Sequence, residues 1–314
     1  MQLGLGTAAL GRPQYINLRQ EDASEFDLDS FKQNGINVLE EAYHRGIRYF
    51  DTAPGYGIAE NIVLDWLQTK NDKAIKIATK WGYTYVANFD AKSKVHELKE
   101  HSLSKLNEQW EVSKDFITHL QVYQIHSATL ETKVLENKAV LERLAFLKDE
   151  NQLQMGITTT GANQVEVIKR ALDVSIDGNQ LFDAFQVTYN ILDQSVMSIS
   201  DELTRQNKTL IIKEALANGR LFRNKNFAHY RKLFDYLEAL AYKHQVGVDA
   251  IALNYCGNTI PNSMVLSGAS NHMHLEGNLK AKSLTLSEQE FQQLNAFRIS
   301  EAVYWNERKL LAWN

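Results

Sequence analysis

Cysteine and proline are scarce in this 314-residue chain, with one cysteine and three prolines, and no basic cluster or long apolar run appears. A lone thiol, Cys256, cannot close an intrachain disulfide, so the expectation is a small buried side chain in a reducing compartment. No stretch approaches the ~18 consecutive apolar residues of a membrane-spanning helix, and the N-terminus lacks the basic-then-apolar order of a secretory leader. The protein is therefore expected to be cytoplasmic, with no membrane partner. The 34 basic and 38 acidic residues give a net charge of −4 without a basic block, which argues against a nucleic-acid partner. His272 and His274 stand two apart, a spacing that puts them on different faces of a helix, so no metal site is expected. No G-x-G-x-x-G opens a βαβ unit, which disfavours a Rossmann dinucleotide site. With no Pro-rich or low-complexity linker, a single domain over residues 1–314 is the simplest division.

What is present is an alternation of short apolar runs and helical-period stretches. Leu3 to Thr7, Ile47 to Phe50, Ala74 to Lys80, Phe116 to Ile125, Gln154 to Thr158, Ala184 to Thr188, Leu210 to Lys213 and Met264 to Ser267 read as strands. Between them lie helical patterns, among them about 59–68, 91–107, 163–172, 196–206, 230–244, 248–255 and one from His272. Residues 11–29 read as a loop at the rim. Ser287 and Glu290 form a capping box before a further helix, and Tyr304, Trp305 and Trp313 follow in a C-terminal tail, 287–314, placed near the same rim. Strand–helix alternation of this length favours a closed parallel (β/α)8 barrel, an α/β fold that typically takes about 250 residues.

Three strand ends carry chemistry. Arg48-Tyr-Phe-Asp-Thr-Ala-Pro-Gly-Tyr-Gly57 runs from a strand into a Pro/Gly turn that displays Asp51 and Tyr56. The next strand stops on Lys80 and a later one on His126. Parallel neighbours would bring these four residues to one rim, where an ammonium held by Asp51 is expected to lower the pKa of the phenol and make it a usable acid–base group. Singly, each has a plain structural reading: a turn cap, a packed aromatic, a solvent-facing lysine, a core histidine.

Taken in order, the four residues resemble the tetrad of the aldo/keto reductase superfamily, with Asp51 and Tyr56 in D-T-A-x-x-Y-G, Lys80 in A-T-K and His126 in Q-I-H. The resemblance runs from Leu3-Gly-Leu-Gly-Thr7 to Asn278 and implies hydride transfer between a nicotinamide and a carbonyl or alcohol. It implies a cofactor lying along Gly6, Thr7, Asp51, Thr158, Thr159, Gln186, Lys213, Leu216, Asn218, Gly219, Arg220, Ser267, Gly268, Ala269, Ser270, His274 and Asn278. Substrate walls would come from Tyr56, Trp81, Tyr83, His126, Ser127 and the aromatic tail. The chain departs from the family pattern at Thr159, where an amide is usual, at Lys213, in an aromatic slot, at His274, where Arg or Gln is usual, and at Gly277, in place of glutamate. Family habit points to NADP, while the missing guanidinium keeps NAD open. The Gly156-Ile-Thr turn leans toward the aldose and L-galactose dehydrogenase-like branch, hence a small carbonyl or sugar substrate; separately, a monomer or weak homo-oligomer is expected. Two other readings fit part of the pattern. One is a cofactor-sensing barrel subunit with little turnover. The other is an isomerase or aldolase using Lys80 as a Schiff-base amine.

Overall fold

The computed structural model describes residues 1–14, 26–90 and 92–312. Eight parallel strands close into a barrel in the order β1-β8-β7-β6-β5-β4-β3-β2. They are β1 (Gln2–Gly6), β2 (Tyr49–Asp51), β3 (Lys76–Trp81), β4 (Leu120–Ala128), β5 (Gln154–Thr159), β6 (Ala184–Thr188), β7 (Thr209–Lys213) and β8 (Met264–Ser267). Helices packed outside the sheet make the fold the expected (β/α)8 barrel.

The two-residue period of a strand decides what the lumen contains. Tyr49, Ala78, Val122, Ala184, Ile211 and Leu266 form one buried cluster inside the barrel. Two residues further along the same strands stand Asp51, Lys80, Gln124, Gln186 and Lys213, so a polar layer lies directly above the apolar one. The alternate residues, among them Phe50, Ile77, Trp81, Tyr123, Ile157, Phe185 and Ile212, face outward into the main core between sheet and helices. Register locks the layer together: Asp51 pairs with Ala78, Lys80 with Gln124, Gln186 with Thr158 and Thr188 with Lys213.

Two elements differ from the sequence expectation. Within 91–107, Glu97–Lys99 pairs antiparallel with Tyr83–Tyr85, and the helix spans Leu103–Ser113 instead. Cross-strand pairing overrides local helical preference there, and Ser102 sets the true helix start by accepting from the Lys105 N–H (3.1 Å). A helical turn, Ala8–Gly11, runs into the first residue of the presumed rim loop, and the Leu28–His44 helix begins before residue 29. Residues 15–25 of that loop, and Trp313, lie outside the described residues. The Ser287–Glu290 capping box forms as expected. Among the described residues no helix is long and apolar enough to cross a membrane.

Candidate active site

Lys80 is the centre of the polar layer. Its ammonium is fully buried and donates to Asp51 Oδ2 (2.5 Å) and to the Thr52 carbonyl (2.9 Å). Asp51 is held from the other side by the Gln186 amide, which donates to Oδ1 at 2.7 Å, and more loosely by Gln124 at 3.4 Å. Thr7 directs both its N–H (2.9 Å) and its hydroxyl (3.0 Å) at the Asp51 carbonyl, fixing the strand end. Thr7 therefore positions Asp51 from a fully buried site, while Gly6 beside it is half-buried at the end of β1.

Tyr56 follows on the Pro54–Tyr56 turn, with the Lys80 Nζ 4.7 Å and the Arg12 guanidinium 5.5 Å from its ring centre. Backbone contact is close here: a β-carbon at Gly11 would fall 2.0 Å from the Tyr56 carbonyl, so only glycine fits. Arg12 donates to the Gly55 carbonyl (2.9 Å) and to Glu97 (2.8 Å), clamping the turn. The His126 ring meets the Tyr56 ring edge-on at 5.4 Å and leans on Tyr83 at 4.6 Å.

The protonation states follow from burial. Burial first, then the Asp51 charge, raises the Tyr56 phenol well above its ordinary pKa, with Arg12 pulling the other way. Burial thus acts on the phenol in the opposite sense to the acidifying effect expected of the ammonium. Lys80 is paired with Asp51, and desolvation of the phenolate is the largest influence on Tyr56. Burial, then Lys80 and Arg12, lowers His126 well below the ordinary imidazole value, so the ring is neutral at pH 7.

The far wall is built by β5, β6, β7 and the tail. Thr158 points inward and its hydroxyl accepts the Ser127 N–H at 2.6 Å. Lys213 donates to the Thr188 hydroxyl (2.9 Å) and lies 4.0 Å from Glu214. Arg308, on the Glu301–Lys309 helix, grips Glu214 at 2.6 Å. Burial opposes ionisation of Glu214, but Arg308 and Lys213 prevail and hold it at about 2. Tyr56, His126, Ser127, Thr158, Thr160, Gln186, Lys213, Glu214, Arg12, Glu97 and Arg308 line a recess of about 60 Å³ between these walls. A larger hollow of about 690 Å³ opens at the opposite end of the barrel, among Arg48, Lys76, Lys208 and Lys282, away from this chemistry.

Several residues assigned from sequence lie elsewhere. Trp81 is one residue past Lys80, so it faces outward, fully buried against His101. Thr159 likewise turns away from the lumen and bonds Gln164 at 3.4 Å. Arg220 is fully buried, donating to the carbonyls of Ala217 and Tyr304 (both 3.0 Å) and to Glu307 (3.3 Å), which ties the loop to the tail helix. Of the tail aromatics, Tyr304 and Trp305 are buried and bond Asn190 (2.9 Å) and Asp193 (3.1 Å) instead of walling the recess. Leu216 packs against the core, and Ala217–Gly219 forms a tight turn with Asn218 left-handed at φ 55°.

After β8, Ser267, Gly268, Ala269 and Ser270 lead into the N-terminus of the His272–Leu279 helix, capped by Asn271. His274 Nδ1 meets the Ser270 hydroxyl at 3.1 Å. With its amide nitrogen toward Asp249, Asn278 donates to that carboxylate (2.7 Å) and accepts from Ser267 Oγ (2.8 Å). A β-carbon at Gly277 would lie 2.6 Å from Asp249, so the side chain absent at 277 is replaced in space by this carboxylate.

The family described as the aldo/keto reductase family matches residues 2–299. The chain belongs to that family. Its members are carbonyl–alcohol oxidoreductases that use nicotinamide cofactors. A curated relative, the NADH-specific methylglyoxal reductase of Escherichia coli (strain K12), is 23% identical over 318 aligned residues, covering 91% of each chain. Among solved structures, a glycerol dehydrogenase from Gluconobacter oxydans superposes with a TM-score of 0.71 at 20% identity, covering 94% of this chain and 90% of that one. An aldo-keto reductase from Bacillus halodurans superposes at 0.67 and 21%, covering 95% and 92%. Within this aldo/keto reductase the sequence reading missed Arg12, Glu97, Thr160 and Arg308. Arg12 adjoins the Ala8–Gly11 turn, Glu97 lay in a stretch read as helix, and Arg308 reaches Glu214 across 94 residues. None of them carried a local motif.

Proposed function

We propose that this aldo/keto reductase reduces a small hydroxylated aldehyde or ketone, such as an aldose, with Tyr56 as the proton donor. The observation that carries this is the recess in which a buried phenol faces a neutral imidazole above the Lys80–Asp51 pair. The recess walls are polar, with Arg12, Glu97, Ser127, Thr160 and Glu214, which suits a substrate rich in hydroxyl groups. His126 Nδ1, on the recess wall, is buried without a hydrogen-bond partner among the described residues, as expected of a group that meets a ligand.

The donor set fits a nicotinamide dinucleotide. Gln186, Thr158 and Ser127 offer amide and hydroxyl groups at the rim, and the N-terminus of the His272–Leu279 helix offers N–H groups to a phosphate. When bound, the dinucleotide supplies the hydride. Tyr56, a phenol that holds its proton at pH 7, gives it to the developing alkoxide, and His126 holds the carbonyl oxygen as a neutral donor. Lys80 and Asp51 keep the phenol's surroundings fixed and neutral overall. A Schiff base on Lys80 is disfavoured, because the nitrogen is an ammonium bonded to a carboxylate and a carbonyl. Two features favour a dinucleotide without a 2′-phosphate, despite the family habit: the carboxylate of Asp249 beside Asn278, and the lack of a guanidinium from Ser267 to Gly277.

The test is Tyr56→Phe. It should bind NADH as the parent does and lose about 10²–10⁴-fold in kcat for an aldose or short aldehyde; an unaltered kcat would refute the assignment. Fluorescence titration should show NADH binding more tightly than NADPH, and the reverse order would return the cofactor to NADP.

A further inference from the structure

Any hydride donor that reaches a carbonyl held by Tyr56 and His126 must enter the recess those residues line, and the wall facing it carries Lys213. Among the described side chains lining that recess, three cations (Arg12, Lys213, Arg308) face two carboxylates (Glu97, Glu214). Arg12 is bonded to Glu97 at 2.8 Å and Arg308 to Glu214 at 2.6 Å, while Lys213 stands 4.0 Å from Glu214 and donates to a neutral hydroxyl. The Asp51–Lys80 pair below adds no net charge, and His126 is neutral. Lys213 therefore presents its charge to the recess beside a neutral hydroxyl, with Glu214 at 4.0 Å.

We infer that Lys213 makes the site discriminate between the two redox forms of its cofactor, favouring the reduced, uncharged nicotinamide over the oxidised cation and so biasing the enzyme toward carbonyl reduction. The inference rests on the functional reading above. The physical reason is Coulombic. A fixed cation beside the ring leaves the neutral dihydropyridine untouched and penalises only the ring that carries positive charge. For unit charges a few ångströms apart at a protein surface this is worth on the order of tenfold or more in affinity. An uncharged side chain at 213 would not discriminate in this way.

Burial lowers Lys213 to about 8, against the opposing pull of Glu214, so its charge is removable near neutrality. The groups that face it are Glu214 beside it, Arg308 on the tail helix, Lys80 on β3, Asp193 after β6 and His126 on β4. Glu214 at about 2, His126 well below its ordinary value and Tyr56 well above its own all titrate outside the window around 8. As pH rises through that window, Lys213 loses its proton and the penalty on the oxidised form should vanish.

Equilibrium titration of the full chain with NADH, and displacement of NADH by NAD⁺, test this, with the 2′-phosphorylated pair run in parallel. The parent should bind the reduced form at least about tenfold more tightly than the oxidised form at pH 7. Lys213→Met should shrink that ratio by about tenfold and Lys213→Arg should preserve it. In the parent, affinity for NAD⁺ should rise between pH 7 and pH 9 while affinity for NADH stays level. A Lys213→Met protein that binds NADH normally with the parental ratio overturns the inference. So does a pH-independent NAD⁺ affinity in the parent, a measurement that needs no variant. Failure of the parent to bind either dinucleotide in either redox form would instead overturn the functional reading itself.

Discussion

Asp51 and Lys80 illustrate how little freedom a buried charge has. Each is almost wholly removed from water, and the pair persists because Gln186, Gln124 and the Thr52 carbonyl complete its hydrogen bonds. Breaking such a pair by removing one partner typically costs about 3–5 kcal/mol, because the remaining ion stays buried without compensation. Asp51→Ala should therefore lower the thermal unfolding temperature sharply. The double variant Asp51→Ala with Lys80→Met should recover much of the loss, which a calorimetric mutant cycle would show. Parental stability in the single variant would mean that the ammonium escapes to water. The Asp51 charge also acts on Tyr56, where burial and that carboxylate together oppose ionisation of the phenol.

At the scale of elements, the layer between helices and sheet holds a second buried acid. Glu60, on the Ala59–Leu67 helix, accepts from Thr79 of β3 (2.6 Å) and from Ser113 at the end of the Leu103–Ser113 helix (3.5 Å). Burial raises it to about 7, against those hydrogen bonds and the more distant Lys80 charge. In the unfolded chain it titrates near 4.5. Between those values the folded protein binds the extra proton, so stability should fall as pH rises from about 4.5 to about 7, by roughly 3 kcal/mol in total. Glu60→Gln keeps an acceptor for Thr79 and should flatten that slope in denaturant titrations at pH 5 and 7. Equal slopes for parent and variant would show that Glu60 ionises in place.

At the scale of the whole molecule, the C-terminal helix closes the mouth of the barrel. Arg308 reaches Glu214, Trp305 reaches Asp193 and the Tyr304 carbonyl accepts from Arg220, so one short helix is fastened to the ends of β6 and β7. Glu214 sits at φ 57°, a left-handed backbone that is unfavourable for a glutamate and persists under such restraint. Arg308→Ala should leave Glu214 buried with weaker compensation and raise its carboxyl pKa from about 2. Amide exchange across 300–312 should accelerate, and affinity for NAD⁺ should rise as one of the cations around Lys213 is removed. Unchanged exchange in that helix would show that Tyr304, Trp305 and Glu307 hold it without Arg308.

Much of this was legible along the chain because strands have a period of two and barrels close. Short apolar runs ending on Asp51, Lys80 and His126 sufficed to place those residues on one rim, since parallel neighbours in register deliver strand ends to the same side. The same alternation, applied one residue further, would have turned Trp81 and Thr159 outward. Tertiary structure alone decided the rest. Arg12 clamps the Tyr56 turn, Arg308 neutralises Glu214, Arg220 serves the tail, and Asp249 fills the space beside Gly277, each through contacts between segments far apart in sequence. Protonation also belongs to the folded state, because desolvation depends on what surrounds a group in three dimensions. The order of residues determined which groups meet at the barrel mouth, and packing around them decided which carry a proton and which a charge.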